Sequence, residues 1–276
     1  MKLATIRTRE GTVAARIDPD GAVELDAPDV RAVLERERWF DWASSADGPR
    51  RDLGGLDYAP LVPSPDKIVC VGLNYRTHIL EMGRELPDHP TLFAKFRGAL
   101  VGAHDEVELA GPSDMVDWEA ELAVVVGTAA RNVTVDQAAG HIAGYAVLND
   151  VSVRDWQNRT LEWLQGKTWE RSTPLGPWLV TADESPGPSR EISCEVDGEQ
   201  VQKADTADLL FDPATLVSYN STVITLLPGD VIATGTPGGV GMGRGQFLRD
   251  SSVMVTRIEG LGECRNVCRK AAGGGG

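Results

Sequence analysis

Apolar positions along this chain fall in short runs of strand length, separated by Gly, Pro, Asp and Asn, and sustained helical periods are few. Residues 1–64 read as a small N-terminal unit with a linker. In it KLATIRT and TVAARID are expected as strands, with Asp20-Gly21 at a turn before AVEL. A helix should follow: Asp26 or Asp29 can cap it, Pro28 suits its first turn, and Val30, Val33 and Leu34 give an i, i+3, i+4 apolar face. The stretch GPRRDLGGLDYAPLVPSPDK has no period and many Gly and Pro, which predicts a linker.

The main domain is expected over residues 65–270. It opens with the strand KIVCVG, followed by LNYRTHILEMG as a short helix or loop. Pro87 and Pro90 exclude a continuous helix across ELPDHPTLFAKF, and the segment from about Met82 to Pro90 reads as a lid or binding loop. Thr134 with Gln137 forms a capping-box signature, and IAGYAVLND is a strand that stops at Asp150. VRDWQNRTLEWLQG is expected as one helix, with Trp156, Leu161 and Leu164 among its apolar positions. Asp197-Gly198 signals a hairpin, PATLVSYNSTVITL a helix, and GDVIATG, GTPGGVGMGRG and SVMVTRIEGLG strand, loop and strand. AAGGGG, residues 271–276, reads as a disordered tail. Many strands, few helices and no βαβ alternation predict a β-rich α+β fold.

The run VDWEAELAVVVG changes the picture, because it sets two carboxylates two residues apart inside apolar sequence. On a strand, Glu119 and Glu121 project to one side, roughly 7 Å apart, while Ala120, Leu122 and Val124 project to the other. Each carboxylate raises the pKa of the other unless a cation lies between them. A hard divalent metal wants several oxygen ligands, and Asp150, ending another apolar run, supplies a third. Solvation, or pairing with Arg and Lys, is the competing reading of the two glutamates.

Composition then bounds the partners. A formal charge of −14 disfavours nucleic acid and anionic membranes, so a small anionic substrate must meet a local cluster of cations. No apolar run approaches a transmembrane span, and MKLATIRTRE lacks a signal-peptide core, so a cytoplasmic location is the expectation. Cys70, Cys194, Cys264 and Cys268 include no C-x-x-C and are expected as reduced thiols.

Six motifs in order, VGLNYRTHILEMG, FAKF, DWEAELAVVVG, GYAVLNDVSVRDWQ, GKTWERSTPLGPW and GDVIATGTPGGVG, resemble the fumarylacetoacetate hydrolase family over roughly residues 66–268. The resemblance implies a mixed β-sandwich roll, a homodimer, and Mg²⁺ or Mn²⁺ used to cleave or rearrange 2-oxo acids such as acylpyruvates. Its metal ligands correspond to Glu119, Glu121 and Asp150. His78 and Glu81, one helical turn apart, match its water-activating pair, Gln157 the residue that holds the water, and Lys167 the lysine beside the metal. Lys95 and Arg154 resemble residues that bind substrate carboxylate, and Thr236 one that donates a hydrogen bond to it.

Each of these has a plainer reading. His78–Glu81 could be a surface helix pair, Gln157 an exposed glutamine, Lys167 a snorkelling lysine, Lys95 and Arg154 counter-charges for neighbouring acids, and Thr236 part of an ordinary turn. The glycine run lacks the lysine and following hydroxyl residue of a nucleotide loop. Three carboxylates and one divalent ion leave one net negative charge, which would repel an oxo-acid anion. Lys95, Arg154 and Lys167 reverse that sign. Trp169-Glu170 departs from the family pattern after the lysine, leaving substrate identity open, and Asp250-Ser251-Ser252 replaces a Gly-Asp turn.

The resemblance implies hydrolysis of the C–C bond of an acylpyruvate or related 2,4-dioxo acid, giving pyruvate enolate and a carboxylic acid. The alternatives use the same metal and lysine: oxaloacetate decarboxylation, or enol–keto isomerisation of a hydroxymuconate-type acid. A non-catalytic metal-stabilised scaffold would not require His78, Glu81 or Lys167.

Overall fold

The computed structural model describes residues 1–270 except Pro186 and Pro188; the expected tail lies outside the described residues. Its centre is the strand Ala120–Val126, every residue of which is buried. Ala120 and Leu122 pack into one apolar cluster with Val147, Ile192 and Met254. Ala123 and Val125 pack into another with Ala146, Leu148, Leu175 and Val33. Cover on both faces explains why this run is continuously apolar rather than alternating.

Ala120–Val126 pairs antiparallel with Ile142–Asn149 on one side and Val231–Ala233 on the other. Val231–Ala233 runs parallel to Ile68–Gly72, which carries Thr91–Lys95 at its far edge. In the opposite direction Ile142–Asn149 pairs with Thr173–Thr181, and that strand pairs with Lys2–Thr8. The N-terminal strands therefore extend the same eleven-stranded sheet that carries the acidic run. A second sheet orders Glu199–Asp205, Glu191–Val196, Val253–Ile258, Gly262–Lys270 and Val107–Leu109. The result is the expected β-rich α+β fold, a mixed sandwich roll.

Local predictions and structure differ where tertiary packing intervenes. Asp29 caps the helix Val30–Leu34, accepting from Ala32 N–H at 2.9 Å, so Pro28 precedes the cap instead of occupying the first turn. A helix over Trp39–Ser45 lacks a sequence cap and was not predicted; its start, Arg38, adopts φ +51°. Thr91–Lys95 is a strand within what the prolines had suggested was irregular sequence. The single helix predicted after Asp150 is two, Arg154–Gln157 and Leu164–Lys167, and Leu161 between them is fully exposed. The Asp197-Gly198 hairpin forms with positive φ at both residues. All four cysteines are free and buried.

Candidate active site

Strand register assembles the acids. Ala120 lies opposite Asn149, so Glu119 and Asp150 face one another across the pair, and Asp150 N–H donates to Glu119 O at 2.8 Å. Carboxylate oxygens of Glu119, Glu121 and Asp150 lie within 4.8 Å of one another, and all three residues are buried. The sequence places Glu119 and Glu121 on one side of a strand and does not say what covers that side. In the fold Glu121 is 1% exposed, enclosed by a sheet covered on both faces.

Cations surround two of the three acids. Lys167 Nζ donates to Glu119 Oε2 at 2.6 Å and to Asp150 Oδ2 at 2.8 Å. Lys95 Nζ forms an ion pair with Asp150 Oδ1 at 2.7 Å and donates to the carbonyls of Val151 and Lys167. Arg154 Nη1 is 2.7 Å from Glu119 Oε1 and donates to Gln157 Oε1 at 2.8 Å. Burial alone would raise Asp150, but Lys167 and Lys95 more than offset it and hold this carboxyl below its ordinary range. Burial disfavours the Lys167 ammonium, yet Asp150 and Glu119 push it up to about 12.

Glu121 differs. Burial first, then the charges of Asp150 and Glu119, raise it well above the usual carboxylate range. Among the described residues it receives one hydrogen bond, from Gly235 N–H at 2.7 Å, and no ion pair. Asp150 Oδ1, by contrast, is paired with the Lys95 ammonium at 2.7 Å. A buried carboxylate with no ion pair is costly, so three clustered hard oxygens, with Glu121 lacking a cation, fit a divalent cation.

His78 and Glu81 lie on the helix Arg76–Glu81. Both face the loop after Val231–Ala233, since a Cβ on Gly238 would stand 3.2 Å from His78 Nδ1 and from Glu81 Oε2. Burial lowers the His78 pKa below its ordinary value, Glu81 and Glu119 partly offset that, and Arg154 reinforces it. Neutral imidazole, a competent base, is thereby favoured. Thr236 Oγ1 donates to Ala120 O at 2.9 Å, so its proton is directed at backbone in this arrangement.

Two further buried residues hold the site without having been singled out from sequence. Asp117 accepts from Arg154 Nε at 2.7 Å and from the N–H groups of Gly241 and Met242 at 2.6 and 2.9 Å. It fixes the guanidinium and adds a fourth negative charge. Asn149 Oδ1 accepts from Glu119 N–H at 3.0 Å, while its Nδ2 donates to Thr256 Oγ1 at 2.9 Å. The available signal was polar residues set inside apolar runs, in VDWEAE and AVLND.

Residues 67–269 match the profile of the fumarylacetoacetate (FAA) hydrolase C-terminal family. The chain belongs to that family. It is 45% identical over 206 residues to the oxaloacetate tautomerase FAHD2A, mitochondrial, of Homo sapiens, covering 73% of this chain and 66% of that protein. The match thus spans just under two thirds of the human relative. Among solved structures, 5-carboxymethyl-2-hydroxymuconate delta-isomerase from Mycobacterium smegmatis superposes with a TM-score of 0.83 at 33% identity, covering 99% of this chain and all of that one. Maleylpyruvate hydrolase from Sphingobium sp. SYK-6, in complex with manganese(II) and pyruvate, has a TM-score of 0.83 at 28% identity, covering 98% and 100%. These relatives are named for three reactions, tautomerisation, isomerisation and hydrolysis. Among the described residues no helix is long and apolar enough to cross a membrane.

Proposed function

We propose that this chain is a divalent-metal-dependent enzyme that acts on a small 2-oxo acid by stabilising its enolate. The single observation that carries the reading is the buried Glu119–Glu121–Asp150 cradle, whose Glu121 has no cation of its own. Mg²⁺ or Mn²⁺, when bound there, supplies positive charge that polarises the 2-oxo group and favours the enolate. Lys167 adds a fixed charge beside the same position. Lys95 and Arg154 hold the acids in place and keep the surroundings from repelling an anion.

Two reactions use this arrangement. In hydrolysis of an acylpyruvate or related 2,4-dioxo acid, neutral His78, in the field of Glu81, takes a proton from water. The resulting hydroxide attacks the distal carbonyl, and the C–C bond electrons pass to the enolate. Gln157 presents Oε1 to Arg154, which leaves its Nε2 as the donor that holds the water. In the second reading, favoured by identity to the human tautomerase, His78 moves the C3 proton while the 2-oxygen exchanges its own proton with solvent in the opposite sense, and no C–C bond breaks. Decarboxylation of oxaloacetate would draw on the same charges. A homodimer in the cytoplasm completes the proposal.

The test is a panel of acylpyruvates, enol-oxaloacetate and hydroxymuconates with Mn²⁺ and Mg²⁺, in wild type and Glu121→Ala. Metal-dependent turnover of at least one 2-oxo acid, lost in the variant, is expected. No turnover of any member, or turnover untouched by the substitution, would contradict the reading.

A further inference from the structure

Gln202 belongs to the second sheet, on the strand Glu199–Asp205, and is 2% exposed. Its amide crosses to the acidic strand of the first sheet. Oε1 accepts from Ala120 N–H at 2.9 Å, and Nε2 donates to Thr236 Oγ1 at 2.9 Å and to Pro237 O at 3.0 Å. Thr236 Oγ1 in turn donates to Ala120 O at 2.9 Å. The hydrogen bonds close a ring through Ala120, Gln202 and Thr236. Each donor and acceptor has one consistent direction, because the threonine proton goes to the carbonyl and the hydroxyl must therefore accept from the amide.

What the ring connects gives it consequence. Ala120 is the residue between Glu119 and Glu121; Asn149 lies opposite it on one side, and on the other the strand Val231–Ala233 pairs only with Ala123–Val125 and ends before reaching it. Gln202 and Thr236 replace that missing strand. The loop they grip touches the site at both ends: Gly235 N–H donates to Glu121 Oε2, and Gly238 lies against His78 and Glu81. The loop is also seated closely on the gripping strand, since a Cβ on Gly239, at φ +95°, would stand 2.1 Å from Val201 O.

We propose that Gln202 is a positioning residue that fixes the spacing between the metal-binding acids and the His78–Glu81 pair. This rests on the metal site proposed above. Gln202 touches neither metal nor substrate; it acts through the peptide of Ala120 and through the 235–239 loop. Removing outer partners of metal ligands typically costs ~10–100-fold in metal affinity or activity. A network that acts as a unit also gives losses that do not add.

The experiment is Mn²⁺ titration of the full chain, stripped of metal beforehand, in wild type, Glu121→Ala, Gln202→Met, Thr236→Val, Thr236→Ser and the Gln202→Met/Thr236→Val double variant. Amide hydrogen exchange is followed in parallel. Gln202→Met is expected to weaken Mn²⁺ binding about tenfold or more and to speed exchange across residues 235–240, leaving the strands Glu191–Val196 and Val253–Ile258 unchanged. Thr236→Val should reproduce this, the double variant should be no worse than either single one, and Thr236→Ser, which keeps the hydroxyl, should bind more tightly than Thr236→Val. Binding lost in Glu121→Ala but unaltered in Gln202→Met would overturn the role of Gln202 and leave the metal site standing. Single losses that multiply in the double variant would also overturn it. No Mn²⁺ binding by wild type would remove both proposals.

Discussion

Lys167 Nζ stands 2.8 Å from Asp150 Oδ2, and both side chains are essentially excluded from water. The same ammonium reaches Glu119, so two of the three acids proposed to hold a metal already share one internal cation.

Lys167→Met should therefore destabilise the metal-free protein. Breaking one side of a buried pair typically costs ~3–5 kcal/mol when the remaining charge is left alone; the loss here should be smaller, because Lys95 still faces Asp150 and Arg154 still faces Glu119. The folded pKa of Lys167, about 12, lies above its ordinary 10.5, so the pair's contribution is fully present below the ordinary value and fades as pH rises through about 12. Thermal melts in EDTA should show the loss at neutral pH, and saturating Mn²⁺ should raise Tm more in the variant than in wild type. A variant that melts like wild type in EDTA would contradict this.

Metal should stabilise the wild type and do nothing for Glu121→Ala. A ligand that binds only the folded state adds stability by mass action, about 2.7 kcal/mol at a hundred times its Kd. Tm measured against Mn²⁺ and Mg²⁺ concentration checks this; indifference of wild type to both ions would count against the cradle.

The pH profile should report His78. Burial lowers its pKa, so the fold favours the neutral ring; that contribution to stability is present above 6.5 and lost as pH falls through the folded value. The acid limb of kcat/KM should accordingly lie below 6.5. Because Glu81 raises this pKa, Glu81→Gln should move the limb further toward acid while lowering the rate. A limb above 6.5 in wild type would be the wrong sign.

His78→Ala removes the base proposed for both reactions. Loss of a positioned base costs ~10²–10⁴ in rate, so acylpyruvate cleavage and enol-oxaloacetate tautomerisation should each fall at least about a hundredfold with Mn²⁺ affinity retained. Steady-state rates with an acylpyruvate and with enol-oxaloacetate check this. Wild-type hydrolysis by the variant would exclude His78 as the water-activating base.

Much of this site was legible in the sequence because strand period and register are local rules. The two-residue spacing of Glu119 and Glu121, and the stop of IAGYAVLND at Asp150, bring three acids together once the strands pair. The capping-box pair Thr134 and Gln137 starts a helix at Val135, with Gln137 Oε1 accepting from Thr134 N–H at 3.1 Å. What sequence could not show depended on packing between distant segments. Burial of Glu121 follows from cover on both sheet faces, and the roles of Asp117 and Gln202 follow from contacts across 124 and 34 residues of chain. For Lys95 and Arg154 the sequence left two readings open, substrate carboxylate or neighbouring acids; their partners here are acids, backbone and Gln157, and which acids they meet depends on the folded neighbourhood. The break between Arg154–Gln157 and Leu164–Lys167 likewise escaped a periodicity that looked continuous.

Enolate formation at the Glu119–Glu121–Asp150 cradle is common to every reaction considered, and exchange of the methyl protons of pyruvate in D₂O measures it without reference to the physiological substrate. Followed by proton NMR with Mg²⁺ present, wild type should deuterate C3 well above the rate of buffer and metal alone, and Glu121→Ala should not. Absence of exchange in wild type, or equal exchange in the variant, would contradict the account at its centre.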